Sequence, residues 1–389
     1  MHTKFHISSL WRKGCHALSK FKRFHLTTQH RAADALHLQF ISDVIDPQKE
    51  INLSDLTDNY QPLSQQDILD DPEWAFAPYL VASNRERCEI IHIQAINFAL
   101  KNQTHVIRWP MKKGQWVGKP ADPDFQNDAL QDPMCYQYFV KGAQAFCSHN
   151  INPEIQLANG SPIVLHSIVP SSEQQRCYLS QAEKMPFGTI ITLEEPPLIV
   201  NVAIPKREVA SPILQDLLDS LQKTMSCCAV SHTENGDPVI PIFPGESPES
   251  CKYSKKIALK RSECLLNGKL GLYEASKITL SNIFPYDLAF AMTVHKAQGR
   301  TLSKVILCLF QRPSHINQFS INAIYVALSR VKFRSDIRIL SHTHHLNPLH
   351  YSYLTTISRN TTIPSFLHGF HNLNSWNGER AFQHFQQNN

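Results

Sequence analysis

The sequence predicts an α/β fold in which a parallel sheet with helices is interrupted by a β-rich insertion. Two observations predict it. Strand-like and helix-like patterns alternate on both sides of the middle of the chain. Between them, residues 151–283 hold β-rich runs separated by Pro, Gly and Ser. A strand followed by a helix is the repeating unit of a parallel α/β sheet, whereas β-rich runs broken by turn residues are typical of a small all-β module.

The first strand and helix are predicted before the insertion. Tyr79-Leu-Val-Ala-Ser83 is a short apolar run, and Cys88, Ile91 and Ala95 then recur at three- and four-residue steps. That spacing puts the apolar side chains on one face of a helix. Residues 105–109 read as a second strand, which Pro110 ends.

The insertion and the segment after it contain further strands. Apolar, β-branched runs start at Ile163, Thr189 and Leu198. After the insertion, residues 304–309 predict a buried strand, residues 316–331 an amphipathic helix, and residues 338–340 a last strand. Beyond about residue 345 the chain is rich in His, Asn, Gln and Ser, which favours a peripheral or disordered tail. The predicted segments are therefore 1–150 and 284–345 for the α/β domain, 151–283 for the insertion and 346–389 for the tail.

Charge is distributed unevenly along the 389 residues. The net charge is only +5, but residues 1–33 hold seven Lys or Arg and no acid, and residues 285–340 hold eight basic residues against Asp287 and Asp336. Residues 42–73 reverse this, with nine acids against Lys49. A basic surface at residues 285–340 suits a phosphate backbone, although the same charges could simply be solvated.

The cysteines and the hydropathy indicate an intracellular protein without a membrane span. Ten cysteines are scattered without Cys-x-x-Cys pairs, so we interpret them as reduced thiols and predict no metal site. No apolar run approaches the roughly 20 residues that cross a bilayer. The basic, acid-free N-terminus also resembles a mitochondrial transit peptide in composition, so nucleus, mitochondrion and cytoplasm all stay open.

Two runs near the C-terminus carry the functional signal. They are Thr293-Val-His-Lys-Ala-Gln-Gly-Arg-Thr301 and Tyr325-Val-Ala-Leu-Ser-Arg-Val331. Arg330 stands at the end of a predicted amphipathic helix, as does an arginine that reaches the γ-phosphate and stabilises charge in the transition state. An isolated Ser-Arg pair at a helix end is ordinarily a surface feature; the occurrence of both runs in this order favours the nucleotide interpretation.

These runs resemble the fifth and sixth motifs of superfamily 1 DNA helicases of the petite-integration-frequency and RecD type, including those of Helitron-like transposons. Leu26-Thr-Thr-Gln-His-Arg-Ala-Ala-Asp34 is similar to the fourth motif, and Ser83-Asn84-Arg85 and Leu157-Ala-Asn-Gly160 match weaker landmarks. The similarity runs in family order over roughly residues 20–340. It implies that the chain is a second RecA-like domain, split by a small SH3-like β insertion, from a motor that moves 5′ to 3′ on single-stranded DNA.

The resemblance also implies roles for single residues. These roles are catalytic for Arg31 and Arg330, nucleotide binding for Gln29, Gln298 and Gly299, and single-strand binding, to DNA or RNA, for Thr293, His295 and Lys296. His295 taken alone would be a packed or solvated histidine, and Lys296 a surface charge. Their places within the fifth motif make nucleic-acid contact the better interpretation.

The first half of such a motor is absent from the sequence. No Gly-x-x-x-x-Gly-Lys-Ser/Thr loop occurs, and Gly114-Gln-Trp-Val-Gly-Lys-Pro120 has three intervening residues where four are needed. The third motif, Gly-Asp-x-x-Gln-Leu-Pro-Pro, is also missing, and the acids of Leu193-Glu-Glu-Pro-Pro197 are only faintly like a Mg²⁺ site. We therefore expect the chain alone to bind neither ATP nor Mg²⁺ and to hydrolyse no ATP.

Three interpretations of the chain remain open. It is half of a helicase whose first RecA-like domain, with the phosphate loop and the Mg²⁺ acid, comes from another chain or a missing exon. Alternatively, it is a stand-alone nucleic-acid-binding module derived from a helicase, or an inactive transposon-derived fragment. The persistence of both candidate γ-phosphate arginines, Arg31 and Arg330, favours the first.

Overall fold

A computed structural model describes most of the chain. The described residues are 17, 20, 32–46, 49, 53–117, 132–153, 157–205, 232–244, 255–260, 265–266, 269–270, 275–281, 283–312, 318–341, 351–357, 362–372 and 375–387. In this part of the chain, no helix is both long enough and apolar enough to cross a bilayer.

The described residues form both helices and strands, and several strands follow one another without a helix between them. The helices are α1 (Ala35–Ile45), α2 (Leu53–Asn59), α3 (Gln65–Asp70), α4 (Asn84–Lys101), α5 (Glu173–Ala182), α6 (Val294–Ala297), α7 (Ile321–Leu328), α8 (Thr362–His368) and α9 (Gly378–Gln387). Short 3-10 turns cover Pro72–Phe76, Pro133–Cys135, Arg334–Asp336 and Ser352–Thr356. The strands are β1 (Gln61–Pro62), β2 (Tyr79–Val81), β3 (Val106–Pro110), β4 (Lys112–Val117), β5 (Tyr136–Val140), β6 (Gln144–Cys147), β7 (Pro162–Val169), β8 (Ile190–Thr192), β9 (Ile199–Ala203), β10 (Val239–Ile242), β11 (Lys255–Lys260), β12 (Leu265–Leu266), β13 (Lys269–Leu270), β14 (Ala275–Ser281), β15 (Tyr286–Leu288), β16 (Ala291–Thr293), β17 (Val305–Leu307), β18 (Ile337–Ile339), β19 (Phe370–Asn372) and β20 (Ser375–Trp376).

The chain divides into two compact units. Unit 1 combines Met1–Ser64 with Ala297–Asn389, and unit 2 is the continuous segment Gln65–Lys296. The predicted segment boundaries at residues 150, 283 and 345 differ from these divisions after residues 64 and 296. The predicted segments stay a prediction.

Unit 1 is built on parallel strands. β18 lies between β1 and β17 and pairs with both in parallel, with Gln61 opposite Arg338 and Val305 opposite Ile337. Helix α7 connects β17 to β18, as a parallel connection requires. The Ser320 hydroxyl starts α7 by accepting from the Ala323 amide at 3.2 Å. The apolar face of α7 packs against α1.

Unit 2 combines a parallel pair with four antiparallel or mixed sheets. β2 and β16 are parallel, and α4 follows β2 and packs against both strands. The largest of the four runs β10-β9-β7-β6-β15 and is antiparallel; the others are β11-β14-β4, β5-β3-β8 and the hairpin β12-β13. One core joins α4 to the β10-β9-β7-β6-β15 and β5-β3-β8 sheets, with Trp109 and Phe284 in edge-to-face contact at 5.6 Å. The predicted α/β class, with a RecA-like arrangement of parallel strands and helices beside small antiparallel sheets, is confirmed.

The start and the buried face of helix α4 both follow from its sequence. The Ser83 hydroxyl accepts from the Glu86 amide at 3.2 Å, and the Glu86 carboxylate accepts from the Ser83 amide at 3.0 Å. This reciprocal capping box satisfies two amides that would otherwise lack partners. The buried face includes Cys88, Ile91 and Ala95, as the periodicity predicted.

The segment predicted to be a peripheral or disordered tail contains α8, α9 and the β19–β20 hairpin among its described residues. The Trp376 indole donates to the Phe366 carbonyl at 2.8 Å and lies 5.5 Å from the Phe366 ring. A small aromatic cluster thus organises a segment whose composition alone gave little structural signal.

A buried histidine gives unit 1 a predicted pH dependence. His37 on α1 is fully buried, and its Nδ1 lies 3.0 Å from the Tyr60 hydroxyl. Burial lowers the pKa of His37 below its ordinary value of 6.5, although nearby Asp34 acts in the opposite direction. The unfolded chain then binds the proton more readily, so this contribution to stability is present above pH 6.5 and is lost as pH falls.

We expect the free energy of unfolding of the wild type to fall as the pH drops below 6.5, and His37→Gln to remove part of that slope. Urea unfolding between pH 5 and 8, followed by circular dichroism, measures both slopes. Equal slopes would mean that His37 does not couple protonation to folding.

Candidate functional site

The fifth-motif residues follow the end of a strand. β16 ends at Thr293, α6 makes a single turn, and the chain then reverses at Gly299. Gly299 has φ +84°, a left-handed conformation that glycine adopts without strain. A Cβ at Gly299 would meet no atom within 4 Å, so the backbone angle rather than crowding favours glycine there. Gln298 and Gly299 are both exposed on this turn.

Arg330 directs its guanidinium onto this turn within unit 1. It is 7% exposed, and its Nη1 lies 3.5 Å from the Ala297 carbonyl and 3.3 Å from the Arg300 carbonyl. Its Nε donates to the Val326 carbonyl at 2.8 Å. A buried guanidinium needs acceptors for its five donors, and backbone carbonyls of the two motifs accept from Nε and Nη1.

Further hydrogen bonds fix the end of the sixth-motif helix to the same turn. The Ser329 hydroxyl accepts from Arg330 Nη2 at 2.6 Å and donates to the Val326 carbonyl at 3.0 Å. The Leu302 amide donates to the Arg330 carbonyl at 2.8 Å. The structure thus places Arg330 against the turn that carries Gln298 and Gly299; the nucleotide roles of these three residues stay a prediction.

The residues predicted to contact a single strand differ in exposure. Thr293 is 7% exposed at the end of β16, so little of its surface is available to a ligand. His295 and Lys296 are exposed on α6. The Lys296 ammonium forms an ion pair with the Asp287 carboxylate of β15.

Asp287 joins Lys296 to a second cation in unit 2. The Arg87 guanidinium, 3% exposed on the buried face of α4, donates to Asp287 Oδ1 at 2.7 Å. Burial disfavours the charged form of Arg87, but the Asp287 carboxylate outweighs this effect and raises the pKa of Arg87. Arg87 therefore stays charged, and Asp287 bridges a buried cation and an exposed one.

A cleft of about 320 Å³ opens beside this charged group in unit 2. Arg87, Asp287 and Lys296 lie on its wall, with Asn84 from the start of α4 and Tyr136 from the start of β5. The Arg108 guanidinium stacks on the Tyr136 ring, 4.2 Å from its centroid.

The sequence patterns missed Arg87 and Asp287 as members of the site. Arg87 precedes Ile91 by four residues and lies on the same face of the helix. A charged side chain on an apolar face requires a partner of opposite charge. That signal could have identified Arg87. Nothing in the local sequence marks Asp287 as its partner, because the two residues are brought together only by the fold.

Two predicted site residues, Gln29 and Arg31, lie outside the described residues. Within the described part, no group of three or more His, Cys, Asp or Glu residues is placed to hold a metal ion. The expectation that the chain alone binds neither ATP nor Mg²⁺ stays a prediction.

No protein-family model matches the sequence, and no curated protein matches it either. Among solved structures, the chain is similar to the Pif1 helicase from Candida albicans, with 16% identity and a TM-score of 0.37 over 80% of this chain and 54% of that one. It is also similar to Bacteroides Pif1 in complex with ADP-AlF3 and ssDNA, with 15% identity and a TM-score of 0.41 over 89% of this chain and 56% of that one.

A third similar structure, Bacteroides Pif1 bound to ssDNA, has 15% identity and a TM-score of 0.40 over 90% of this chain and 57% of that one. The chain spans a little over half the length of each of these structures. These values describe a distant likeness. The likeness is one of fold, and it covers most of this chain's own length.

Proposed function

We propose that the chain is the second RecA-like half of an ATP-dependent motor that acts on single-stranded nucleic acid. The observation that carries this proposal is the position of Arg330. Its side chain joins the fifth-motif turn, through the Ala297 and Arg300 carbonyls, to the end of the sixth-motif helix. The two motifs most specific to this helicase type are therefore adjacent, and Gln298 and Gly299 lie between the two carbonyls that Arg330 contacts.

The catalytic parts that this chain lacks would come from a first RecA-like domain. That domain would carry the phosphate loop and the acid that holds Mg²⁺, and the family implies that the motor moves 5′ to 3′. In this chain, Arg330 and the fifth-motif turn would face the nucleotide, and His295 and Lys296 would face the strand. A stand-alone nucleic-acid-binding module remains the second candidate, because the exposed basic residues at 295 and 296 serve that function equally well.

The first test is binding to a single strand without nucleotide. The chain should bind a fluorescein-labelled oligonucleotide with little sequence preference, because contacts to phosphates carry no base information. Affinity should fall with salt by roughly 0.7 log units per log unit of salt for each phosphate neutralised. Fluorescence anisotropy from low to physiological salt measures this slope.

Matched variants assign the binding surface. His295→Ala combined with Lys296→Ala should lower the affinity several-fold and reduce the salt slope by about 0.7, one phosphate contact. Lys184→Ala removes an exposed charge just after α5 and should leave binding unchanged. If the double variant binds as tightly as the Lys184→Ala control and the wild type, the fifth motif is not part of the binding surface. That result would favour the inactive-fragment interpretation.

A further inference from the structure

The cleft in unit 2 is lined by both apolar and polar residues. Ile283 and Leu288 are buried apolar residues of the lining, and Tyr136 contributes a partly exposed ring. Asn84 and the charged residues also line it. With about 320 Å³ of space, the cleft lies within the size range of small-ligand sites, and it is large enough for one nucleobase with its sugar.

The charges around the cleft favour an anionic ligand at its mouth. Arg87 and Lys296 together carry two positive charges, and Asp287 carries one negative charge, so the group is net positive. Lys296 is 43% exposed, whereas Arg87 is 3% exposed. A phosphate can therefore reach Lys296 without desolvating it fully, while the ion pair with Arg87 holds Asp287 in place.

The aromatic wall is fixed before any ligand binds. Arg108 stacks against the Tyr136 ring at 4.2 Å, and Tyr136 starts β5, which pairs with β3 along its whole length. A fixed aromatic ring stacks a base of any sequence at little cost in conformational entropy. Among the described residues, the Nε of Arg87 is also buried without a hydrogen-bond partner, an unmet donor at the polar part of the lining.

We propose that this cleft accepts one unpaired nucleotide of a bound single strand, with the base against Tyr136 and the phosphate at Lys296. This inference rests on the proposed function, because it assumes that the strand crosses α6. It goes further in assigning to unit 2 a pocket for a base, in addition to contacts with the backbone.

An abasic oligonucleotide separates the base from the backbone. A strand of thymidines and a strand of the same length and charge with abasic sugars at every position should bind the wild type with affinities that differ by on the order of tenfold. Both should show the same dependence on salt, because both carry the same phosphates. Anisotropy with the two labelled strands measures the ratio.

Two variants place that preference in the cleft. Tyr136→Leu keeps an apolar side chain but removes the ring, and Asn84→Trp fills the cleft from an exposed position at the start of α4. Each should bring the ratio close to one while binding to the abasic strand persists. Tyr178→Ala removes a tyrosine that is exposed on α5 and does not line the cleft, and it should keep the wild-type ratio.

The outcomes are distinguishable. Equal binding of the two strands by the wild type, with a normal salt slope, would overturn the nucleotide pocket and leave the proposed function intact. A preference for the base that survives in both cleft variants would also overturn it. Displacement of the strand by thymidine monophosphate at the same nucleotide concentration would assign the cleft to free nucleotides instead. Absence of salt-dependent binding to either strand would contradict the proposed function itself.

Discussion

Arg330→Ala should destabilise unit 1 by about 3 kcal/mol, because hydrogen bonds from a charged donor to buried carbonyls are worth more than neutral ones. The substitution removes the guanidinium contacts to the Val326, Ala297 and Arg300 carbonyls, although Val326 and Ala297 keep a second donor. It also leaves a cavity, because the Arg330 side chain is only 7% exposed and its neighbours surround it. Hydrogen–deuterium exchange should show faster exchange in α7 and at Leu302, whose amide bonds to the Arg330 carbonyl.

Arg330→Lys is the control for this variant. It keeps the charge but loses the planar fork of donors, so it should recover only part of the lost stability. A wild-type exchange rate in Arg330→Ala would show that the carbonyl contacts add nothing to the stability of unit 1.

The same residue should dominate activity in a completed motor. When a first RecA-like domain is supplied by fusion or in trans, phosphate release should fall on the order of 10³-fold in Arg330→Ala, the scale of arginine fingers. The assay must be run at a temperature at which the variant is still folded, because the stability loss would otherwise imitate the catalytic one. Near-full turnover in the folded variant would limit Arg330 to its structural role.

Asp287→Ala should cost unit 2 about 2 to 3 kcal/mol, since it leaves the Arg87 guanidinium buried without its carboxylate. We place the loss below the roughly 3–5 kcal/mol of fully buried pairs, because Asp287 is itself 27% exposed. Lys296→Ala removes the exposed partner of the same carboxylate and should cost less than about 1 kcal/mol. Urea unfolding followed by tryptophan fluorescence measures the loss, and the buried Trp109 of unit 2 contributes to that signal.

A double variant tests the cause of that loss. Arg87→Met combined with Asp287→Leu replaces both partners by apolar side chains, and it should recover most of the stability that Asp287→Ala loses. If Asp287→Ala is as stable as Lys296→Ala, Arg87 has found another acceptor, and Asp287 is not needed to keep the guanidinium buried.

The sequence predicted the helices and strands that depend on the spacing of neighbouring apolar residues. Helix α4 follows from the spacing of Cys88, Ile91 and Ala95, and the strands β17 and β18 follow from short apolar runs. α7 is shorter than predicted: it starts at Ile321, where Ser320 caps it, and ends before Ser329. Capping contacts of this kind decide where a helix begins and ends more sharply than periodicity does.

The candidate site was predictable only in part, for a physical reason. The motif resemblance assigned Arg330, Gln298 and Gly299 to one nucleotide site, and those roles stay a prediction; the structure shows that Arg330 contacts the turn that carries the other two. The resemblance did not predict that Arg330 is buried against backbone carbonyls. Every residue has a backbone carbonyl, so the sequence does not show which carbonyls will accept from an arginine. The Arg87–Asp287 pair was also unpredictable, since a contact between residues far apart in sequence depends on the whole fold.

Unit 1 is completed only by the last part of the chain, and this sets an order for its folding during synthesis. β1 leaves the ribosome early, but its partner strand β18 belongs to the segment after unit 2. At about 5–20 residues per second, residues 65–296 take on the order of 10 to 50 s to synthesise. Unit 2 can fold in that interval, because all of its strands and helices emerge together. During that interval α7 has not yet been synthesised. The apolar face of α1, with Phe40, Ile41 and Val44, therefore lacks its packing partner and is accessible to chaperones.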